Sequence, residues 1–474
     1  MRKLGQRVLV PALAAVSLTL TACSSPGTSH AGAVGDVPKE QPPLIGSPKW
    51  HLGPGPTEPA RRGAVAVPTD GAAADRDPKA DRDLKVYSFD PRTGRAVISS
   101  KASAEPAPGR PVRTGDVIAS PPTRDAPRGI LAEVTGILGR TAHGTEVRTA
   151  PTTLAAVLGD ARVAGTVPVD PSEVEVSPLV PGVKVSRSGR GDVRDGPESA
   201  RLPPGSLRVD VDTTIPTGTA ATGFVRLAPQ VEFSYDGGGP GGGPKAASLA
   251  LAGDWATGWK LKGRGASATH GKPLRVPFAR LRADPVLHVG GIPVVVNLDL
   301  TCYVLIDADG KARFAIEQGA TKGDFRIGGT YRADTGWAPE AKAGSGTSRV
   351  RAAVDGASGV RAALGTEASV GLYGNPGLTG DLAAPYVRTE ASGGAAWKLS
   401  GGVELQGALL PQLKVFGAPA PGTRQALPRF RREWKIDRGK GAIRVPRPPR
   451  DAQKPPPDGT LDPKDRIPGL PGTG

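Results

Sequence analysis

The stretch VVVNLDLTCYVLI, Val294 to Ile306, alternates without a break for thirteen residues. Val294, Val296, Leu298, Leu300, Cys302, Val304 and Ile306 share one face, while Asn297, Asp299 and Thr301 project from the other. A period of two is the signature of a half-buried strand, and at about 3.3 Å per residue this one reaches roughly 43 Å, well beyond the usual strand length. The following Asp307, Ala308, Asp309, Gly310 is a hairpin signal, with Phe314 and Ile316 returning on the same apolar register. Asp307, Asp309 and Gly310 also touch the pattern of a calcium loop, but Lys311 and Gln318 stand where oxygen ligands are needed.

The same period runs outward in both directions. Leu207, Val209, Val211 precede it, then Val231, Phe233, Tyr235, and Leu249, Leu251, Gly253, Trp255; Phe325, Ile327, Gly329, Tyr331, then Val370, Leu372, and Trp397 through Leu409 follow. No stretch of comparable length has helical period. The expected fold is mainly β, with long antiparallel strands forming a sandwich or barrel over residues 203–436. Residues 84–160 are expected as a small β-rich domain. In it Thr114 to Ile118 and Gly129 to Val134 form a hairpin around Pro121 to Arg128, Glu146 to Thr149 a strand, and Ala150 to Leu158 a short helix capped by Thr149. Residues 161–202, punctuated by Pro168, Pro171, Pro178 and Pro181, read as a linker or long loop. Residues 23–83, rich in Pro, Gly and charge, read as a disordered tether, and residues 437–474 as a disordered basic, Pro-rich tail.

Residues 1–22 have the three parts of a secretory leader: Arg2, Lys3 and Arg7, the apolar run Val8 to Leu20, then small residues. The apolar run is too short to span a bilayer as a helix. Arg2 and Lys3 are not a twin arginine, so export in the unfolded state is expected. Leu20, Thr21, Ala22, Cys23 resembles the lipobox of bacterial lipoproteins, of the high-GC Gram-positive type in its Ala-, Gly-, Pro- and Arg-rich composition. That resemblance implies cleavage between Ala22 and Cys23 and a thioether-linked diacylglycerol on Cys23. It implies a protein anchored to the outer face of the cytoplasmic membrane and exposed to the extracellular side. Two acyl chains hold stably where one binds only marginally.

A second resemblance is to secreted β-rich bacterial surface proteins, over Gly115 to Leu154, Gly290 to Val296, Val370 to Leu378 and Trp397 to Leu405. It implies architecture and carries no catalytic residue with it.

Without its leader the chain has 58 Lys and Arg against 45 Asp and Glu, a net charge of +13. Few aromatics interleave with this charge, so the expected partners are anionic wall polymers or lipids, not nucleic acid. Once Cys23 is acylated, Cys302 is the one remaining cysteine, which precludes an intramolecular disulfide. Its place on the apolar face of a strand makes it a packing residue.

Little in the sequence suggests chemistry. His30 and His51 fall in the tether; His270 and His288 lie in the β domain, with Asp284 near the latter. No nucleophile elbow, metal-ligand spacing or carboxylate dyad accompanies them, and no cofactor or metal is expected. Gly237 to Gly243 lack the Lys and Ser of a phosphate loop. Arg190, Gly191, Asp192 form the integrin-type tripeptide, an expected coincidence in so Arg- and Gly-rich a loop. Trp255, Trp259, Trp337 and Trp397 are read as filling the core or its rim. The expectation is a non-enzymatic, lipid-anchored binding or scaffold protein of the cell envelope. The alternatives are a carrier of a lipid or other hydrophobic ligand, with Gly329, Gly401 and Gly407 leaving room for it, and an envelope hydrolase using His288 and Asp284.

Overall fold

The computed structural model describes residues 65–68, 84–100, 112–188 and, apart from short internal segments, 205–444. They lie within one compact unit, Arg61–Gly474. The leader, Ala22, Cys23, most of the tether, His270, Asp309, Gly310, the Arg190 to Asp192 tripeptide and residues 445–474 are outside the described residues.

The described chain is mostly β. Strands β1 (Val65–Pro68), β2 (Leu84–Asp90), β3 (Arg95–Ser100), β4 (Asp116–Ser120), β5 (Ile130–Thr141) and β6 (Gly144–Pro151) form a six-stranded antiparallel sheet in the order β1-β4-β5-β6-β3-β2. After the short helix α1 (Leu154–Leu158) come β7 (Arg162–Pro168), β8 (Glu175–Pro178), β9 (Val183–Ser188), β10 (Ser206–Thr214), β11 (Ala220–Asp236) and β12 (Ala246–Arg264). They are followed by β13 (Leu274–Ala283), β14 (Val286–Val289), β15 (Ile292–Ala308), β16 (Arg313–Arg332), β17 (Gly336–Ala343) and β18 (Val350–Asp355). The chain continues through β19 (Gly359–Leu372), β20 (Asn375–Ser392), β21 (Ala396–Leu409), β22 (Gln425–Ala426), β23 (Phe430–Lys440) and β24 (Ile443–Arg444).

These make two further sheets of nine strands. One runs β24-β18-β16-β12-β11-β10-β9, with β17 added to β16 and β7 to β11. The other runs β22-β21-β20-β19-β15-β13-β8, with β14 added to β15 and β23 to β21. Their inner faces share one core, in which Val231, Leu251 and Ile327 of the first sheet join Val304, Val370 and Leu405 of the second. Close approach is built in by glycine. A Cβ at Gly380 would collide with Ile327 of the facing sheet, and one at Gly329 with Leu409. This is the sandwich form of the expected fold, with strands long enough that β16 alone spans twenty residues, about 66 Å.

Several boundaries differ from the sequence reading. The expected linker at 161–202 contributes β7, β8 and β9, paired to β11, β13 and β10. These are short outer strands, in which inward Val163, Gly165 and Val167 alternate with exposed Arg162, Ala164 and Thr166, and prolines punctuate such strands without breaking a central ladder. The tether yields β1 at its end, and the tail begins later than 437, after β24.

Residues 84–160 are not a separate body either. Ile118 and Ile130 point into the small sheet's own core, whereas Val117, Ala119 and Leu131 belong to the core of the sandwich. Both faces of β4 are therefore buried. The helix starts at Leu154, with Thr153 as its cap residue, because Thr149 remains in β6 and bonds the Gly94 carbonyl.

The strand that follows β15 does not pair with it. The chain passes to the other sheet, where β16 takes β12 along nearly its whole length, and β15 pairs with β19. Both inner faces look into one core, so the apolar register of Phe314 and Ile316 is the same for a hairpin and for a change of sheet.

A candidate binding face

The outward face of the second large sheet is where the charged side chains of β15, β19, β20, β21 and β23 converge. Residues that sit across from one another point to the same side, and the register sets Thr301, Glu367, Asp381 and Gln406 in one row. The next row is Tyr303, Gly365, Ala383, Glu404 and Arg431; the one after is Leu305, Ala363, Tyr386, Gly402 and Glu433.

Tyr303, Leu305, Ala363 and Tyr386 make a small apolar cluster on this outer face. The rings fill the spaces left by Gly365 and Gly402. Guanidinium groups cover them: Arg275 lies 4.6 Å above the Tyr303 ring and Arg361 4.3 Å above that of Tyr386.

The carboxylates are clamped around this cluster. Asp381 accepts from the Tyr303 hydroxyl, from Arg275 and from Gln406 at 3.2 Å. Glu404, 5% exposed, accepts from Arg361 at 2.6 Å and from Arg429 at 2.9 Å. Glu433 accepts from the Tyr386 hydroxyl at 3.0 Å and from Arg431 at 2.8 Å.

Burial works to raise the Glu404 carboxyl, but the Arg429 hydrogen bond and the Arg361 charge outweigh it and hold it below the ordinary value. Glu433 is likewise held low against its burial, chiefly by Arg431. Burial, then Asp381, pushes the Tyr303 phenol up, and burial does the same for Tyr386. At Glu433 and Tyr386 a carboxyl held low thus lies beside a phenol pushed up. With both rings buried under Arg275 and Arg361, the arrangement braces the sheet and presents charged side chains at its surface.

The edge of this face is β23, which pairs with β21. Its eleven residues carry Arg431, Arg432, Lys435, Arg438 and Lys440 against Glu433 and Asp437. All five cations are exposed.

The residues singled out in the sequence fall elsewhere. Asp284 is held by Arg282 at 3.1 Å and by the Asn297 amide at 2.6 Å, and Arg128 forks onto Asp299 at 2.8 and 2.9 Å. The amide N–H of Gly374 donates to the Asn297 side-chain oxygen. Asn297 is thus buried where a half-exposed polar side chain was expected, and it fixes the turn Tyr373-Gly374 between β19 and β20. Asp284 braces the seam between the small sheet and the sandwich. His288 is exposed on β14, and among the described residues no hydrogen bond or ion pair joins it to Asp284.

Cys302 is fully buried, its Sγ 4.0 Å from the Thr366 hydroxyl, and burial pushes its thiol up to about 12. Trp255, Trp259, Trp337 and Trp397 are all under 9% exposed, as read from the sequence.

Of the glycines that could have left room for a ligand, Gly329 is filled by Leu409, Gly401 by Trp434 and Gly407 by Leu427. Two enclosed apolar spaces between the sheets measure about 10 and 20 Å³, room for one water molecule each. The outer Tyr303 and Tyr386 cluster was missed by sequence reading. Its signal, a tyrosine on the polar side of a strand with a glycine on the neighbouring strand, becomes visible only with the register. Comparison of the chain with protein-family models, with curated proteins and with solved structures gave no match.

Proposed function

We propose that this protein is a lipid-anchored surface protein of the cell envelope, non-enzymatic, whose sandwich binds or scaffolds an anionic wall polymer through the β23 edge and the adjoining face. Cys23 carries the diacylglycerol in this reading, with cleavage after Ala22, and the chain stands on the extracellular side of the cytoplasmic membrane. The observation that carries the binding claim is the set of exposed cations on β23, of which Arg431, Lys435, Arg438 and Lys440 lie on the outward side while Arg432 lies on the other. Arg438 and Lys440, at alternate positions, are about 6.6 Å apart, a spacing that suits the repeating charges of a phosphate- or carboxylate-bearing chain. The basic character continues in sequence through Arg444, Arg447 and Arg450.

Cations on an edge strand also discourage pairing with another chain, so the test must separate the two roles. The chain from Ser24 to Gly474 should co-sediment with anionic cell-wall material, and added salt should weaken that binding. A Lys435→Glu, Arg438→Glu, Lys440→Glu variant should lose at least tenfold in affinity while keeping its melting temperature. Equal binding by the variant, or turnover of a generic ester, glycoside or peptide substrate by the parent, contradicts the proposal. A carrier is less well supported between the sheets, where the two spaces described above are small; a larger cavity among the described residues, about 780 Å³, is an open cleft lined by charged Lys262, Arg264, Arg313 and Asp355 beside Phe314 and Val354.

A further inference from the structure

The small sheet ends in a hairpin that exposes large apolar side chains. Ile137 is 47% exposed, Leu138 36% and Tyr87 42%, and they are three of the four large hydrophobic residues so exposed among the described residues. Register breaks place two of them there. The β2–β3 pairing skips Tyr87, and the β5–β6 pairing skips Thr135 and then Leu138. Such bulges re-aim a side chain and bend the strand.

The Tyr87 ring is stacked on His143, at the turn between β5 and β6, with centroids 4.1 Å apart. Ile137 and Leu138 lie a few residues before that turn, so all three residues gather at one end of the sheet. A Cβ at Gly136 or Gly139 would meet nothing within 4 Å, so the hairpin has no cover there. Exposed Lys85, Arg140 and Arg148 lie on the same strands.

We infer that this hairpin end is a membrane-docking surface that seats on anionic lipid head groups, with Ile137, Leu138 and Tyr87 entering the interface and Lys85, Arg140 and Arg148 meeting the negative charge. Exposed apolar side chains on strands that also carry exposed cations match the two layers of an anionic leaflet. Val65 pairs with Ala119 at the end of the sheet away from the hairpin, so it is the length of the preceding chain, not its point of entry, that favours this occupant over a second copy. Forty-one residues separate Cys23 from Val65, and β1, which begins at Val65, belongs to this same sheet. A coil of that length reaches roughly 35 Å. An anchored chain would therefore hold the hairpin at millimolar-scale effective concentration above the bilayer, where even a weak contact is occupied. The inference deepens the anchored reading, but its test does not depend on acylation.

The chain from Ser24 to Gly474, which has no lipidation site, is sedimented with vesicles of phosphatidylcholine containing roughly one-third phosphatidylglycerol, and with pure phosphatidylcholine. Binding to the anionic vesicles alone is expected. An Ile137→Ser, Leu138→Ser variant should bind at least tenfold more weakly with an unchanged melting temperature, and Arg140→Glu, Arg148→Glu should weaken binding and flatten its salt dependence. Equal binding by parent and variants, or no binding by the parent, overturns the inference. So does a loss of self-association in place of vesicle binding, which would make a second copy the occupant. Because the assay lacks the acyl chains, a negative result leaves the processing of Cys23 untouched and refutes the hairpin surface alone.

Discussion

Tyr303 on β15 lies flat over Gly365 on β19, its directly opposed neighbour, in the space a side chain at that position would need. Tyr386 stands in the same relation to Gly402, Trp434 to Gly401 and Trp397 to Gly439. A glycine in a strand interior weakens the strand unless something covers it, and a ring on the neighbouring strand does so. The four pairs lie in the second large sheet, three of them along β21; the two tyrosine pairs brace the outward face and the two tryptophan pairs the inner one.

Gly365→Ala and Gly402→Ala should each destabilise the protein by about 2 kcal/mol, because a tyrosine ring must leave its seat in an already filled space. Gly136→Ala is the control. With open space around its Cβ, it should be neutral or stabilising by about 0.5 kcal/mol. Denaturant unfolding of the three variants decides the matter; equal effects at all three would remove the ring-over-glycine account.

Glu404→Gln should cost about 2 to 3 kcal/mol, since it leaves Arg361, itself largely covered, without its anion. The same carboxyl, together with Glu433, sets an acid limb. Both are held below the ordinary glutamate value of roughly 4.3. A group depressed in the folded state binds more protons when unfolded, so its contribution is fully present above that ordinary value and is lost as the pH falls through the native one. Melting temperature should therefore drop on acidification below about pH 4, and less steeply in Glu404→Gln. An unchanged acid limb would show that other carboxylates carry it.

The Cys302 thiol, fully buried and pushed up to about 12, should not react with a thiol reagent in the native protein at neutral pH. Labelling should follow unfolding, so its rate as a function of denaturant should extrapolate to the global stability. Rapid native labelling would mean that β15 opens locally.

Asn297→Leu should destabilise by roughly 2 to 3 kcal/mol, because it strands the Gly374 amide and removes a donor to Asp284. The loss should concentrate at the seam between the small sheet and the sandwich. Hydrogen exchange would then rise first around Arg128 and Tyr373, and a uniform rise across both sheets would contradict this.

The long strands were legible because alternation over Val294 to Ile306 or Trp397 to Leu409 is a local pattern that a single buried face imposes. The β7, β8 and β9 strands were not, because outer strands of four to seven residues carry only two or three inward side chains between prolines. The partner of β15 was hidden for a different reason. A turn signal reports that the chain reverses, and two sheets sharing one core accept the returning register equally. Tyr303 over Gly365 depends on residues sixty-two positions apart, so the outer cluster has no local trace. The polar side of β15 looked like a solvent face, yet Asn297, Tyr303 and Leu305 are buried on it.

The central claim, an anchored protein of the envelope, rests on Cys23, and the most direct measurement is mass spectrometry of the N-terminal peptide of protein recovered from the membrane fraction of producing cells. The account predicts a peptide that begins at Cys23 and carries the mass of a diacylglycerol on its sulfur, lost from the membrane fraction in a Cys23→Ser variant. An unmodified Cys23 within a peptide that begins elsewhere, or an intact Met1, would contradict it.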